Sequence, residues 1–248
     1  VASEFRYRNP ILRKDDIFIV ISQSGETADT LAAMRLAKQA GAHVIAITNC
    51  VGSTVSREAD DVIYTWAGPE IAVASTKAYT TQLMCLYLLA LKMASLRGTI
   101  SKADYENLLA ELETVPGKVQ TILDNQTSIQ KFAANNFNKS KVFFIGRLYD
   151  SATSLECALK LKEVSYMHSE AFAAGELKHG PIALVDPDTL VVAVATQRDL
   201  YEKLASNILE VKTRGAATLV ITQDTDGAFK ASADEVISIP VTDDAFAA

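Results

Sequence analysis

The sequence predicts an α/β protein whose parallel sheets are covered by helices on both faces. Two observations predict this class: short apolar runs alternate with helix-period segments, and the whole pattern occurs twice. The apolar runs that predict strands are 17–21, 44–48, 62–66, 142–145, 190–195, 218–222 and 236–240. The intervening segments that predict helices are about 27–40, 70–97, 102–113, 118–134, 151–167 and 199–213.

The repeated unit keeps its register without a gap from its first strand to its third. Adding 174 to a residue number aligns Ile17 with Val191, Gly41 with Gly215, Val44 with Thr218, Val62 with Val236 and Ile63 with Ile237. Any two strand–helix–strand units look broadly alike, but a register kept this long favours a duplication. We therefore predict a first domain at 1–99, a helical connector at 100–135 and a second domain at 136–248.

The second unit has an earlier strand and helix, at 142–146 and 151–167, whose counterparts in the first unit fall before Val1. The long predicted helix of the first unit has its counterpart near Asp244, close to the end of the chain. We therefore expect both domains to be truncated, the first at its start and the second at its end, and the chain to be a piece of a longer protein.

Composition narrows the possible partners and compartment. The net charge of −6 argues against a nucleic-acid partner. The longest apolar run, 83–91, is too short to span a membrane, and residues 1–7 do not resemble a signal peptide. Three cysteines without a CxxC motif fit a reducing cytoplasm, and no His, Cys, Asp or Glu spacing suggests a metal site.

The hexapeptide Ser22–Thr27 predicts a phosphate site, because it joins a buried strand to the start of a helix. At such a turn, free N–H groups and the positive end of the helix dipole favour an anion. The hydroxyls of Ser22, Ser24 and Thr27 and the amide of Gln23 add donors. The alternative is a well-capped helix, for which one hydroxyl would suffice.

Two features of this turn refine the expected ligand. It contains no Lys or Arg, which favours a small phosphate monoester over a polyphosphate with its metal. The second unit has Thr196-Gln197-Arg198-Asp199 at the matching positions, so we expect one phosphate for each chain.

Two clusters in the second unit could carry acid–base chemistry. Glu156, Lys160 and Glu163 lie three and four residues apart and so share one face of a predicted helix. The alternative is a solvated ion-pair stripe. His179 lies in the turn Gly175–Pro181, where it is suited to proton transfer, although it could instead cap a backbone carbonyl.

A further candidate segment is Glu70–Lys77, where Pro69 followed by Glu70 predicts a helix start. Ser75 could face the same cleft as the phosphate turn, or the segment could be the polar first turn of a core helix. Beyond Gln82 this helix is apolar nearly all round, which predicts burial inside the protein or at a subunit interface.

Four motifs in order resemble the sugar isomerase half of the glucosamine-6-phosphate synthases, also called glutamine–fructose-6-phosphate aminotransferases (isomerising). They are SQSGETADTL, EIAVASTKAY, ALKLKE and ELKHGP, beginning at residues 22, 70, 158 and 176. The resemblance spans essentially the whole chain and implies two sugar-isomerase (SIS) subdomains of flavodoxin-like type, which agrees with the repeat.

The resemblance also implies residue roles in binding a phosphorylated hexose, fructose 6-phosphate. The residues that would hold the phosphate are Ser22, Gln23, Ser24 and Thr27. Val73, through its backbone, and Ser75 would line the sugar. Glu163 would move a proton between C1 and C2, with Lys160 as a supporting charge. His179 would open the sugar ring from the neighbouring subunit, which implies a homodimer, and no redox cofactor is needed.

Three elements of that family lie outside this sequence: the glutaminase domain with its terminal cysteine, a Cys-Gly-Thr-Ser phosphate loop, and the lysine-bearing C-terminal tail. We therefore expect weak or no turnover from this chain alone and a glutaminase domain in the parent protein. The alternatives are a related SIS deaminase or deglycase of another phosphorylated amino sugar, and a phosphosugar-sensing module. Glu163 and His179 together count against the sensing module.

Overall fold

Two parallel sheets form, one from each repeat of the sequence. The structure is a computed structural model that describes residues 1–247. Its chain divides into two units, Val1–Tyr105 and Glu106 to the chain end. The predicted α/β class with two parallel sheets flanked by helices is confirmed.

The first unit contains a three-stranded parallel sheet in the order β1-β2-β3. Its strands are β1 (Ile17–Ser22), β2 (His43–Thr48) and β3 (Asp61–Tyr64). Its helices are α1 (Ala2–Phe5), α2 (Ala28–Gln39), α3 (Thr54–Glu58) and α4 (Lys77–Leu96). Leu31 and Met34 of α2 pack on Val20 and Val44, so one face of this sheet is closed by α2.

The second unit contains a five-stranded parallel sheet in the order β5-β4-β6-β7-β8. Its strands are β4 (Lys141–Gly146), β5 (Ser169–Ala173), β6 (Thr189–Ala195), β7 (Ala217–Thr222) and β8 (Glu235–Ser238). The remaining helices are α5 (Lys102–Asp124), which crosses the boundary of the two units, α6 (Thr127–Asn136), α7 (Tyr149–Ser165) and α8 (Tyr201–Lys212).

The core of the second unit lies on both faces of β6, every residue of which is buried. Successive side chains of a strand point to opposite faces. Val191 accordingly packs with Leu204 and Ile208 of α8, whereas Val192 packs with Phe132 of α6. The near-continuous apolar sequence of this strand follows from burial on both faces.

The duplication is visible in matching side-chain contacts. In the first unit the Asp60 carboxylate accepts hydrogen bonds from the Lys38 ammonium at 2.7 Å and the Val44 N–H at 2.8 Å. In the second unit, the residues 174 positions later repeat this arrangement. The Asp234 carboxylate pairs with the Lys212 ammonium at 2.8 Å and accepts from the Thr218 N–H at 2.9 Å.

Helix α4 begins at Lys77, so the predicted helix start near Glu70 is wrong. The Glu70 carboxylate accepts a hydrogen bond from the Ala72 N–H at 3.0 Å and contacts the Ser75 hydroxyl. These contacts, together with the bond from the Lys77 ammonium to the Pro69 carbonyl, hold the segment as a loop. A side chain that satisfies nearby backbone groups competes with helix formation.

Three other predictions of secondary structure need correction. The helix predicted at 102–113 continues through Pro116 to Asp124 as α5, with the Glu111–Lys118 ion pair spanning the proline. The helix predicted at 118–134 is therefore divided between α5 and α6. Strand β5 was not predicted. The segment around His179 forms a 3₁₀ helix, Ala174–His179, rather than a turn without helix, and a second 3₁₀ helix, Pro181–Leu184, follows.

Phe143→Ala is expected to lower the free energy of unfolding by about 3–5 kcal/mol, because it leaves a cavity in a packed core. Phe143 is 1% exposed, and its ring lies edge-on to that of Phe172. The measurement is urea unfolding followed by circular dichroism. Phe137→Ala is the matched control: Phe137 is 79% exposed, so its loss is expected to change the stability by less than about 0.5 kcal/mol. An equal loss of unfolding free energy in the two variants would contradict the buried position of Phe143.

Candidate functional site

The predicted phosphate turn connects the end of β1 to the start of α2. The Ser22 hydroxyl lies 3.3 Å from the Thr27 hydroxyl and accepts a hydrogen bond from the Gly25 N–H at 3.0 Å. Gly25 has a φ of 66°, and an added Cβ would collide with the Ser53 side chain. The turn therefore needs glycine at this position, and it brings the first and last hydroxyls of the motif together.

The capping alternative can be compared directly with the geometry. Thr27 occupies the N-cap position of α2, but its side chain makes no capping hydrogen bond to the helix. Ser24 accepts instead from the Glu26 N–H at 3.2 Å, within the turn itself. The first turn of α2 thus lacks a side-chain cap, and uncapped N–H groups at a helix start can receive an external anion.

The acidic side chains of this turn and of the first turn of α2 are bound to other groups. The Glu26 carboxylate accepts a hydrogen bond from the Thr54 N–H at 2.7 Å, and bonding to Thr54 lowers the pKa of Glu26 from its ordinary value. Asp29 pairs with Arg6 at 3.3 Å. These contacts give both carboxylates partners outside the hydroxyl turn.

Asn49 is a supporting residue that the sequence analysis missed. Its amide nitrogen donates to the Gly68 carbonyl at 2.7 Å, and its amide oxygen accepts from the Ala67 N–H at 2.9 Å. Its own N–H donates to the Gln23 carbonyl at 3.1 Å. Asn49 therefore ties the phosphate turn to the loop after β3. The available signal was the position of an amide side chain directly after a strand.

The Glu70–Lys77 loop holds the two residues predicted to line a sugar. Ser75 accepts a hydrogen bond from the Ala78 N–H at 3.1 Å, so it bonds to the first turn of α4. Val73 is 94% exposed, and its carbonyl accepts from the Ser75 N–H at 3.1 Å. Because the segment is a loop that ends at α4, it is not the polar first turn of a helix, and contact of either residue with a sugar stays a prediction.

The predicted acid–base face lies on α7. The Lys160 ammonium is 2.5 Å from the Glu163 carboxylate and 3.6 Å from the Glu156 carboxylate. The three side chains are only about a quarter exposed, so this is not a fully solvated stripe. The hydrogen bond to Glu163 raises the pKa of Lys160, and the charge of Glu156 adds to that effect. Lys160 therefore stays positively charged between two carboxylates.

His179 ends the 3₁₀ helix Ala174–His179 and is exposed. Ala174 and Leu177 of this helix are buried in the hydrophobic core of the second unit, and they anchor the helix there. The next residue, Gly180, has a φ of 151°, so the chain changes direction immediately after the imidazole. Within residues 1–247, no hydrogen bond joins His179 to another residue, so it is not seen capping a carbonyl.

The other two histidines pair with carboxylates. His43 lies 2.6 Å from Asp61, and His168 lies 3.0 Å from Glu170, all at the surface. Among residues 1–247, no three His, Cys, Asp or Glu side chains come together in a way that could hold a metal ion. In the same part of the chain, no helix is long and apolar enough to cross a membrane.

Comparisons of the sequence with known proteins identify its family and its relatives. A family model described as SIS domain matches residues 1–92 and 137–248. The chain is 58% identical over 242 residues to the glutamine–fructose-6-phosphate aminotransferase [isomerizing] of Caldanaerobacter subterraneus subsp. tengcongensis, covering 98% of the chain and 40% of the relative. The enzyme of the same name from Clostridium tetani is 55% identical, covering 100% of the chain and 41% of the relative. The chain thus spans about 40% of the length of the curated relatives it matches.

Solved structures of related proteins share the fold of this chain. The C-terminal domain of glucosamine-fructose-6-phosphate aminotransferase from Francisella tularensis superposes with a TM-score of 0.93 at 38% identity, covering 99% of this chain and 70% of that one. Glucosamine-6-phosphate deaminase from Thermotoga maritima has a TM-score of 0.74 at 24% identity, covering 99% and 70%, which shows a shared fold alone. The chain belongs to the SIS-domain family and, within it, to the C-terminal domains of the glutamine–fructose-6-phosphate aminotransferases.

Proposed function

We propose that this chain binds fructose 6-phosphate and that, within the whole protein, it converts this sugar with ammonia to glucosamine 6-phosphate. The observation that carries the proposal is the hydroxyl turn Ser22–Thr27 at the uncapped start of α2. The names of the relatives supply the sugar, because the turn alone fits any phosphate monoester. A glutaminase domain elsewhere in the protein would supply the ammonia.

The phosphate would bind where the N–H groups of α2 and the side chains of the turn converge. The proposed ligating residues are Ser22, Gln23, Ser24 and Thr27. Hydrogen bonds to a charged oxygen are stronger than neutral ones, and the helix dipole favours the dianion. Fixing the phosphate at one end of an open hexose orients the reacting carbons at the other end. Val73 and Ser75 are the proposed contacts along the sugar.

The proton transfer is assigned to Glu163. Ammonia adds to the C2 carbonyl and water leaves, after which one proton must move from C1 to C2. The Glu163 carboxylate would take the C1 proton and, as the carboxylic acid so formed, return it to C2, while its hydrogen bond to the Lys160 ammonium holds it in place. The raised pKa of Lys160 suits it to act as a fixed charge and not as a base.

Ring opening is assigned to His179, acting in the active site of a second subunit. Opening needs a group that takes the proton of the C2 hydroxyl and a proton delivered to the ring oxygen, and imidazole can do both near neutral pH. The exposed, unbonded position of His179 supports a role toward another molecule, and we therefore propose a homodimer. The three free cysteines agree with a cytoplasmic location.

The deaminase or deglycase alternative shares the phosphate turn and the fold. The solved deaminase is 24% identical to this chain, whereas the aminotransferase of Caldanaerobacter is 58% identical. We therefore favour the aminotransferase reaction. A phosphosugar sensor would not require the Glu163–Lys160 pair, so that pair speaks against it.

Ser24→Ala and Thr27→Ala are each expected to weaken binding of fructose 6-phosphate about 10- to 100-fold, because a hydrogen bond to a charged group contributes about 1.5–3 kcal/mol. Isothermal titration calorimetry of the 248-residue chain measures this change. Ser128→Ala, which removes an exposed hydroxyl from α6, is the control and should bind as the unchanged chain does. Unaltered affinity in both turn variants would reject the turn as the phosphate site.

Glu163→Gln is expected to lower kcat about 10²–10⁴-fold with little change in KM, because it removes the base but none of the proposed phosphate contacts. The assay uses a chimera in which this chain replaces the matching segment of the Caldanaerobacter enzyme, and it measures glucosamine 6-phosphate formation. Glu202→Gln, on the exposed first turn of α8, is the control and should keep full activity. Full activity of the Glu163 variant would remove Glu163 from the mechanism.

Mixing the Glu163→Gln and His179→Asn chimeras is expected to restore activity that neither has alone. If His179 acts in the neighbouring site, every mixed dimer holds one site with both groups intact. Random exchange would then give about a quarter of the unmodified activity. The measurement is the assay above, after subunit exchange at increasing ratios of the two proteins. If activity stays at the level of the separate variants, His179 acts within its own subunit or not at all.

A further inference from the structure

The second unit also has a strand-to-helix turn after its central strand, and a carboxylate of the same unit fills it. Strand β6 ends at Ala195, and the next two residues bond to Asp150. The Thr196 N–H donates to the carboxylate at 2.8 Å, the Thr196 hydroxyl at 2.5 Å and the Gln197 N–H at 3.4 Å. Asp150 and Thr196 are each 2% exposed, so solvent anions are excluded from this place.

This filled turn is the counterpart of the phosphate turn. Adding 174 to Ser22 and Gln23 gives Thr196 and Gln197, so the two turns follow equivalent strands of the two sheets. In the first unit, the neighbouring carboxylate of Glu26 bonds instead to the start of α3. The two turns therefore differ in whether a carboxylate of the protein fills them: Asp150 fills the second turn, whereas Glu26 bonds away from the first.

The connection between β4 and α7 brings Asp150 to this position. A Cβ on Gly146 would collide with the backbone of Asp150, so only glycine lets the first turn of α7 approach the strand this closely. Leu148 has a φ of 51°, an unfavourable conformation for a leucine. Such strain persists only where the surrounding structure holds it. The Ser154 hydroxyl donates a hydrogen bond to the Asp150 carbonyl at 2.7 Å and so helps to fix the first turn of α7.

The pKa of Asp150 is raised by some of its surroundings and lowered by others. Burial raises the pKa of Asp150, the hydrogen bonds from Thr196 and Gln197 lower it, and the nearby charge of Asp244 raises it. A buried carboxylate needs donors to compensate for lost water. The turn supplies three donors, as a turn built to receive an anionic oxygen would.

We propose that Asp150 is the internal anion of the second unit: its carboxylate occupies a latent oxyanion site and so restricts phosphate binding to the first unit. The second turn has kept the donors of an anion site, and one side chain from the neighbouring strand–helix connection occupies them. This proposal concerns the second unit by itself and does not depend on which sugar phosphate the first unit binds.

The test removes the carboxylate and offers inorganic phosphate. In the Asp150→Ala variant, phosphate is expected to cause saturable changes in the NMR shifts of the Thr196 and Gln197 amides, which chloride at equal ionic strength does not cause. The unchanged chain and the Asp150→Asn variant, whose side chain still fills the space, should show no such change. The Ser24 and Gly25 amides report separately on the first turn, so failure of the proposed function is distinguishable from failure of this proposal.

The alanine variant could lose its fold, because it leaves buried N–H groups without an acceptor. In that case, phosphate but not chloride is expected to restore the native spectrum. A folded Asp150→Ala variant with unmoved amides at Thr196 and Gln197 would overturn the proposal. So would an unfolded variant that phosphate does not restore, or an equal response of the unchanged chain at these two amides.

Discussion

The backbone N–H groups at the carboxyl ends of the parallel strands must find an acceptor, and this requirement connects the main features of the protein. A parallel strand that runs into a helix leaves donors pointing away from the sheet, toward one edge. In the second unit the acceptor is the Asp150 carboxylate. In the first unit Ser22 and Thr27 stand at the equivalent edge, and the proposed acceptor is the phosphate of a sugar. The same backbone geometry thus serves stability in the second repeat and, in the proposed function, ligand binding in the first.

The two repeats differ mainly in the acceptor at that edge and share other contacts at both ends of their strands. At the amino ends of β2 and β7, an aspartate joins a lysine to a backbone N–H of the strand, Asp60 in the first repeat and Asp234 in the second. At the carboxyl ends of the same two strands, an amide side chain accepts a backbone N–H. Asn49 bonds to Ala67, and Gln223 bonds to Thr242. The shared contacts hold the strands and loops in place, which leaves the turns free to diverge.

Most strands and the shared helix face of Lys160 and Glu163 were predictable because their signals are local. Apolar runs mark the buried strands, and the spacing of Lys160 and Glu163 marks one helix face. Strand β5 was missed because its sequence, Ser-Glu-Ala-Phe-Ala, is short and mostly polar or small. The start of α4 was misplaced because Pro69-Glu70 has the pattern of a helix start, whereas the Glu70 side chain bonds within the loop. The role of Asp150 was not predictable, since its partners lie 46 and 47 residues away.

The two proposed proton-transfer groups sit in different environments, and each environment suits its task. Glu163 lies on a long helix and is bonded to Lys160, so its carboxylate has a defined position. A base that serves both C1 and C2 needs such precision. His179 ends a short 3₁₀ helix and is exposed, while Leu177 beneath it is fully buried. An imidazole anchored in this way is exposed to solvent while the core beneath it stays packed. These two environments support the proposed roles of a fixed base on α7 and of an acid offered to a second subunit.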